Sequence, residues 1–351
     1  MNEILFLGGF LILIALFLAF DLGVVNRKNH VISFKEALTW TCIWIGMALL
    51  FYVFLHFRAE WIHGIDTLEK LQYINAKHKH GIVINEVLGF EANLEMYRKA
   101  MSLEYITGYL IEKALSVDNI FVMIMIFLSF KVEPKYYHKV LFWGILGAVV
   151  MRFLFIFLMA ALVQRFAFIL WLFGGILIVT GVKMFLERNK KEAINMRKHP
   201  VVRFSSKYLP VTRNFYEGNF FVKLRGRHFF TPLFLVLLII EFSDVIFAVD
   251  SIPAIFSVTL DPYIVFFSNI FAILGLRSLF FVLSNVMDKF SYLKTGLSVL
   301  LTFIGVKMLL HGIFHITIGT GLSLLIIVGI LSVCIIASVL FPPKKRAVNN
   351  E

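Results

Sequence analysis

Nine apolar runs, each about 20 residues long and nearly free of charge, divide this chain, at about 4–25, 36–57, 105–129, 140–163, 168–186, 231–257, 264–286, 293–313 and 321–341. Runs of that length match the hydrocarbon core of a bilayer, where a helix satisfies its own backbone hydrogen bonds. The expectation is an all-α, polytopic membrane helix bundle of about nine transmembrane helices. Composition agrees, because 60% hydrophobic residues, 16% charged residues and 39 Phe leave too little polar surface to coat a soluble core. The first run follows Met1, Asn2 and Glu3, with neither a positive n-region nor a small-residue cleavage site, and reads as a retained span. Cys42 and Cys334 lie inside apolar runs and read as small buried hydrophobes.

The net charge of +12 invites a nucleic-acid reading, but the basic residues sit between apolar runs instead of sharing a face. Their placement reports orientation. Arg27, Lys28 and Lys35 follow the first run, Lys131, Lys135 and Lys139 the third, Lys289 and Lys294 the seventh, and Lys344, Lys345 and Arg346 the ninth. The stretch 187–230 holds eleven Lys/Arg against three acids. By the positive-inside rule these segments are cytoplasmic, which puts the N-terminus outside and the C-terminus inside. The expected organisation is two N-terminal spans over 1–57, an extracytoplasmic segment over 58–104, a three-span unit over 105–186, a basic cytoplasmic loop over 187–230, a second three-span unit over 231–313, and a last span with a basic tail over 314–351. The 58–104 segment mixes six Lys/Arg with seven Asp/Glu and suits short surface helices over the bundle. The 187–230 loop reads as a linker whose basic residues fix topology, in preference to a site for a partner or anionic lipid.

The two three-span units repeat. SVDNI (Ser116–Ile120) is matched by AVDSI (Ala248–Ile252), Arg152 in the following span by Arg277, and Lys183 in TGVKMF by Lys307 in IGVKMLL, with Arg-to-Lys separations of 31 and 30 residues. An odd number of spans per unit makes this an inverted repeat of three plus three, an arrangement common in transporters that bind substrate near the midplane and expose it alternately to the two sides.

Ionisable residues in a bilayer are costly and are functional candidates by default. The acids concentrate in the two repeat-defining spans: Glu112 and Asp118, beside Asn119, in the first, and Glu241, Asp244 and Asp250, beside Ser243 and Ser251, in the second. Asn269 and Arg277 follow in the next span. Glu241 and Asp244 share a helix face, whereas Glu241 and Asp250 point apart. Pro253 predicts a kink or break beside Asp250 that would free backbone carbonyls as ligands. Carboxylates with amide and hydroxyl oxygens form a hard donor set that suits Mg, Ca or Mn over copper or zinc. Asp118 and Asp250, at matching repeat positions, are the expected first ligands, with Asp244 and Asn119 assisting, Glu112 in the set, and Glu241 a candidate proton carrier for proton-coupled movement. Arg152, Arg277, Lys183 and Lys307 are the expected structural counter-charges. The competing reading is that the acids only neutralise these four in the bundle core.

Weaker patterns carry less. His311 and His315 are four apart but read as incidental, and His78 and His80, flanking Lys79, read as a solvated turn. Gly174, Gly175 and Gly181 predict close helix packing. Neither GxGD nor GxSxG nor a Walker motif occurs, so an enzyme is not expected.

DLGVVNRKNH from Asp21, EYITGYLIEKALSVDNIFV from Glu104 and EFSDVIFAVDSIPAIF from Glu241, followed by SNIFAILGLRSLFF, resemble the TerC family of bacterial membrane proteins, the Alx-type branch closest. The resemblance spans about residues 4 to 341 and places the chain with the LysE-type transporters. It implies export of Mn(II) as the transported ion, with no permanently bound cofactor, and an older association with tellurium (tellurite) resistance. Matched by motif, the residues it carries over are Glu112, Asp118, Asn119, Glu241, Asp244 and Asp250. The expected function is a divalent metal exporter, with a membrane assembly or scaffold protein that supports metal loading or stress resistance as the alternative. The expected partners are the cation and the lipid bilayer, with no nucleic acid.

Overall fold

A computed structural model of the chain describes residues 3–25, 32–166, 168–187, 209–212, 214–216, 218–224, 226–286, 292–314, 316 and 318–340. Helix α1 (Glu3–Val25) leads to α2 (Phe34–Arg58), whose first turn is capped by Ser33 accepting from the Glu36 amide at 3.3 Å. Two short helices follow, α3 (Glu60–His63) and α4 (Leu68–His78), the second capped by Thr67. Then α5 (Gly89–Ser129) runs unbroken through the end of the segment read as extracytoplasmic and the whole third apolar run. After α6 (Tyr137–Arg165) and α7 (Phe168–Glu187), an antiparallel hairpin of β1 (Phe221–Leu224) and β2 (Arg227–Phe230) is the part of the basic loop described as regular structure. The second half is α8 (Pro232–Phe256), α9 (Pro262–Leu274), α10 (Leu276–Val286), α11 (Leu293–Phe314) and α12 (Thr320–Leu340).

Among the described residues, six helices (α1, α2, α6, α7, α8 and α12) are long and apolar enough to cross a bilayer, and α9 with α10 makes a seventh if that bent pair is one span. The apolar stretch of α11 is shorter, Thr295–Leu310, and α5 carries the remaining expected run in its second half. The protein is a polytopic helical membrane protein.

The expectation of a helix break at Pro253 is corrected. α8 continues through Pro253 and ends three residues later, where the Ser257 amide bonds the Pro253 carbonyl at 3.1 Å. Burial of Ile252, Pro253, Ala254 and Ile255 holds this last turn helical despite the lost backbone bond. The break falls instead at Gly275, between α9 and α10, which meet at 43°. A Cβ there would stand 2.9 Å from Lys113 Nζ, the movable end of a long side chain, and 3.2 Å from Trp44 Cβ, so glycine lets the bend pack tightly against these two side chains.

The core forms around α5 and α9. α5 packs on α2, α8 and α9, and α6 packs on α8 and α9. Every residue of α9 except Tyr263 is buried, as expected of a helix apolar on all sides. Phe10, Phe51, Phe267 and Phe271 tie α1, α2 and α9 together through ring contacts of 4.4–5.9 Å. α7 and α11 approach most closely: a Cβ on Gly305 would lie 2.6 Å from the Gly174 carbonyl oxygen, and one on Gly181 2.8 Å from the Ser298 carbonyl. The packing expected of Gly174 and Gly181 is there. Gly175 has nothing within 4 Å and takes no part.

Candidate functional site

The packing of α5 against α8 brings the acid-bearing faces together. Counting 100° per residue, Glu112, Ser116 and Asn119 share one face of α5, and Asp244 and Ser251 share one face of α8. All five are buried. Between the helices α6 contributes Arg152, 1% exposed, whose Nη2 donates to Asp244 Oδ1 at 2.9 Å and whose Nε donates to Asp244 Oδ2 at 3.3 Å. Its Nη1 pairs with Glu112 Oε1 and donates to Asn269 Oδ1 at 2.9 Å, while the Asn269 amide donates to Glu112 Oε2 at 3.2 Å. One guanidinium thus answers two carboxylates with its fork geometry, and one amide closes the ring.

The remaining acids stand off this cluster. Asp118 and Asp250 project from other faces of their helices and are half-buried, Asp250 accepting from Thr180 Oγ1 of α7 at 3.3 Å. Glu241, also half-buried, lies against α6 where Gly147 leaves room, since a Cβ on Gly147 would run into its carboxylate. A small cavity bounded by Met123 of α5, Gly144 and Ala148 of α6, Ile240 of α8 and Leu276 of α10 reaches Asp244. The hydroxyls of Ser116 and Ser251 are buried with no hydrogen-bond partner in the structure. Ser116 was not among the residues singled out by sequence, and its position four residues after Glu112 was the available signal.

The basic residues differ from one another. Arg277 meets His138 Nε2 of α6 at 2.7 Å, Lys307 is buried in α11, and Lys183 is exposed on α7. His311 belongs to the last turn of α11, but its side chain and all of His315 lie outside the described residues.

Comparison with known proteins is decisive for the family. The model of the "Integral membrane protein TerC family" matches residues 97–346. The chain belongs to the TerC family. It is 42% identical over 345 residues to the "Putative membrane-bound redox modulator Alx" of Photorhabdus laumondii, covering 98% of this chain and 97% of that protein. The protein of the same name in Escherichia coli strain K12 is 40% identical over 325 residues, 92% of this chain and 91% of that one. An uncharacterised membrane protein of Myxococcus xanthus is 43% identical over 333 residues, 95% and 91% of the two chains. No solved structure matches.

This TerC-family chain holds a second polar cluster, at the end of the bundle that carries α3 and α4. His78 and His80, read from sequence as a solvated turn, are instead buried: His78 is 2% exposed and the His80 side chain is fully enclosed. His63 bridges two carboxylates, Glu3 Oε1 at 2.9 Å from Nδ1 and Asp261 Oδ2 at 2.8 Å from Nε2. Burial opposes charging the His63 ring, but Asp261 and Glu3 outweigh it and push its pKa up to about 9. Burial holds His78 below the usual histidine range, and the same histidines hold Asp261 far below the usual carboxylate range against its own burial. The sequence signal was the His-x-His pair, and what it lacked was the distant partners.

Proposed function

We propose that this TerC-family membrane protein exports divalent metal cations, Mn(II) first among them, through the mid-membrane carboxylates by alternating access. The observation that carries this reading is the pair of buried, unpartnered hydroxyls, Ser116 and Ser251, on the acid-bearing faces of two packed helices. Buried polar groups are ordinarily satisfied, and oxygens left over beside carboxylates suit a hard cation. The cluster also separates roles. Arg152 neutralises Glu112 and Asp244, while Asp118, Glu241 and Asp250 stay partly accessible on α5 and α8. In this reading Asp118 and Asp250 take the cation first, at matching positions of the inverted repeat, Asp244 and Asn119 assist with the hydroxyls of Ser116 and Ser251 on the adjoining faces of the same helices, and motion of one three-span unit against the other exposes it to either side. Glu241 carries a counter-moving proton. The chain sits in the cytoplasmic membrane of a bacterium, N-terminus out.

The Alx relatives are named for redox modulation. An exporter of a redox-active metal would change that balance without thiol chemistry of its own, and Cys42 and Cys334 are free thiols on separate helices, α2 and α12. A scaffold would differ from an exporter in a single respect, since it would move no ion in purified proteoliposomes. The direct test is intracellular manganese in an efflux-deficient bacterium under manganese load. Wild type should lower it and Asp118→Asn and Asp250→Asn, at matched membrane expression, should not. Wild type without effect, or variants equal to it, would defeat the carboxylate site.

A further inference from the structure

Four side chains from three separate stretches of sequence converge at the α3–α4 end of the bundle. His63 ends α3, His78 ends α4, His80 follows after one residue, and Asp261 caps the start of α9. We propose that His63, His78, His80 and Asp261 form a binding site for one borderline transition-metal cation of the zinc or cobalt kind, separate from the oxygen-only set inside the bundle.

The spacing fits one ion. Ligand atoms of His63, His78 and Asp261 all lie within 4.8 Å of one another, so a closure of about an ångström brings them to the separation of ligands bonded at about 2.0–2.2 Å to one ion. His80 Nε2 lies 3.9 Å from Asp261 Oδ2. The ligands are also prepared. Both ring nitrogens of His78 and Nε2 of His80 are buried with no hydrogen-bond partner in the structure, which folded proteins avoid unless something else uses those lone pairs. His63 and His80 each have the other nitrogen on a carboxylate, Nδ1 of His63 on Glu3 at 2.9 Å and Nδ1 of His80 on Glu104 at 3.2 Å. That is the outer-shell arrangement that fixes a metal-ligating histidine's tautomer and aims its Nε2. Asp261 divides its oxygens in the same way, Oδ1 accepting from the Tyr263 amide at 2.9 Å while Oδ2 faces the histidines.

The backbone is bent to the task. Lys79 adopts φ 53, the left-handed region that a non-glycine residue enters at a cost, and this reversal at the end of α4 turns His80 to the same side as His78. Imidazole nitrogens with one carboxylate select zinc, cobalt and their neighbours over magnesium or calcium. On loading, the Nε2 proton that His63 shares with Asp261 is replaced by the metal and released to solvent. The site joins α3, α4, the α8–α9 turn and, through Glu3 and Glu104, α1 and α5.

The test uses the full chain, purified in detergent and stripped with a chelator, titrated with Co(II) alone and then with Zn(II) in competition. One Co(II) per chain should bind with the visible absorption of a nitrogen-ligated ion and be displaced by Zn(II). His78→Gln should abolish this binding, and Glu104→Gln, which keeps all four ligands, should weaken it by about 10–100-fold. His78 makes no hydrogen bond to lose, so its variant should elute as the wild type does by size exclusion. Asp244→Asn, in the other cluster, should leave the cobalt spectrum unchanged whether or not it affects manganese export. No stoichiometric cobalt on wild type, the same spectrum in His78→Gln, or its loss in Asp244→Asn would overturn the proposal.

Discussion

Replacing Arg152 by methionine tests whether the Glu112–Arg152–Asp244 cluster holds the bundle together. The methionine approximates the length of the side chain but removes its bonds to Asp244 at 2.9 and 3.3 Å and to Asn269 at 2.9 Å, together with the pair to Glu112. Both carboxylates are under 5% exposed, so neither regains water. Breaking one side of a buried ion pair costs about 3–5 kcal/mol, chiefly through the charge left behind. A loss of that size lowers the apparent unfolding temperature in detergent by on the order of 10 °C. The argument makes a second demand. If the cost arises from stranded charge, removing the charge should recover it, so the triple variant Arg152→Met, Glu112→Gln, Asp244→Asn should return to within about 1–2 kcal/mol of wild type. Equilibrium unfolding in mixed micelles on wild type, single and triple variants reads both quantities. A single variant as stable as wild type, or a triple variant as unstable as the single, would refute the reasoning.

Three further outcomes follow from particular contacts. Gly305→Ala places a methyl 2.6 Å from the Gly174 carbonyl and 2.9 Å from the Ile178 amide nitrogen, backbone atoms that cannot swing aside, and should destabilise by about 1–3 kcal/mol, whereas Gly175→Ala meets open space and should be neutral or slightly stabilising in the same unfolding assay. Gly147→Ala should displace the flexible end of Glu241 and reduce manganese export in cells with little change in thermal stability; full export would remove Glu241 from the pathway. At the α3 end, burial opposes ionisation of Glu60, but Arg98 bonds both its oxygens at 2.7 and 2.8 Å and holds its pKa below the usual value. The lower folded pKa means this contribution is complete above the unfolded value of about 4.3 and is lost as pH falls through the folded one. Amide exchange in α3 and the first turns of α5 should therefore accelerate on acidification below about pH 4 in wild type, and Glu60→Gln should lack that step.

What could be read from sequence was what periodicity and cost expose. Apolar runs announce helices, and ionisable residues inside them announce a polar core, so Glu112, Arg152 and Asp244 were identifiable one by one. Their partnership was not, because Arg152 and Asp244 are 92 residues apart and no local pattern says which acid a buried arginine answers. Asn269 was visible as a polar residue in an apolar run, but its bridge to both Glu112 and Arg152 depends on how α9 docks. Pro253 gave a sound local signal that tertiary packing overrode, while the bend at Gly275 packs against Lys113 and Trp44, which are remote in sequence. His78 and His80 misled for the same reason. A histidine pair in a charged segment looks solvated until Asp261, 198 residues from His63, is brought against it.

The glycine seam between α7 and α11 has a mechanical consequence. Where backbone touches backbone, no rotamer can relax to let one helix slide past the other, so α7 and α11 behave as a single lever. Spectroscopic labels on these two should keep a fixed separation through any working cycle. Any pivoting of the bundle would then fall elsewhere, and the 43° corner at Gly275 lies outside that locked pair.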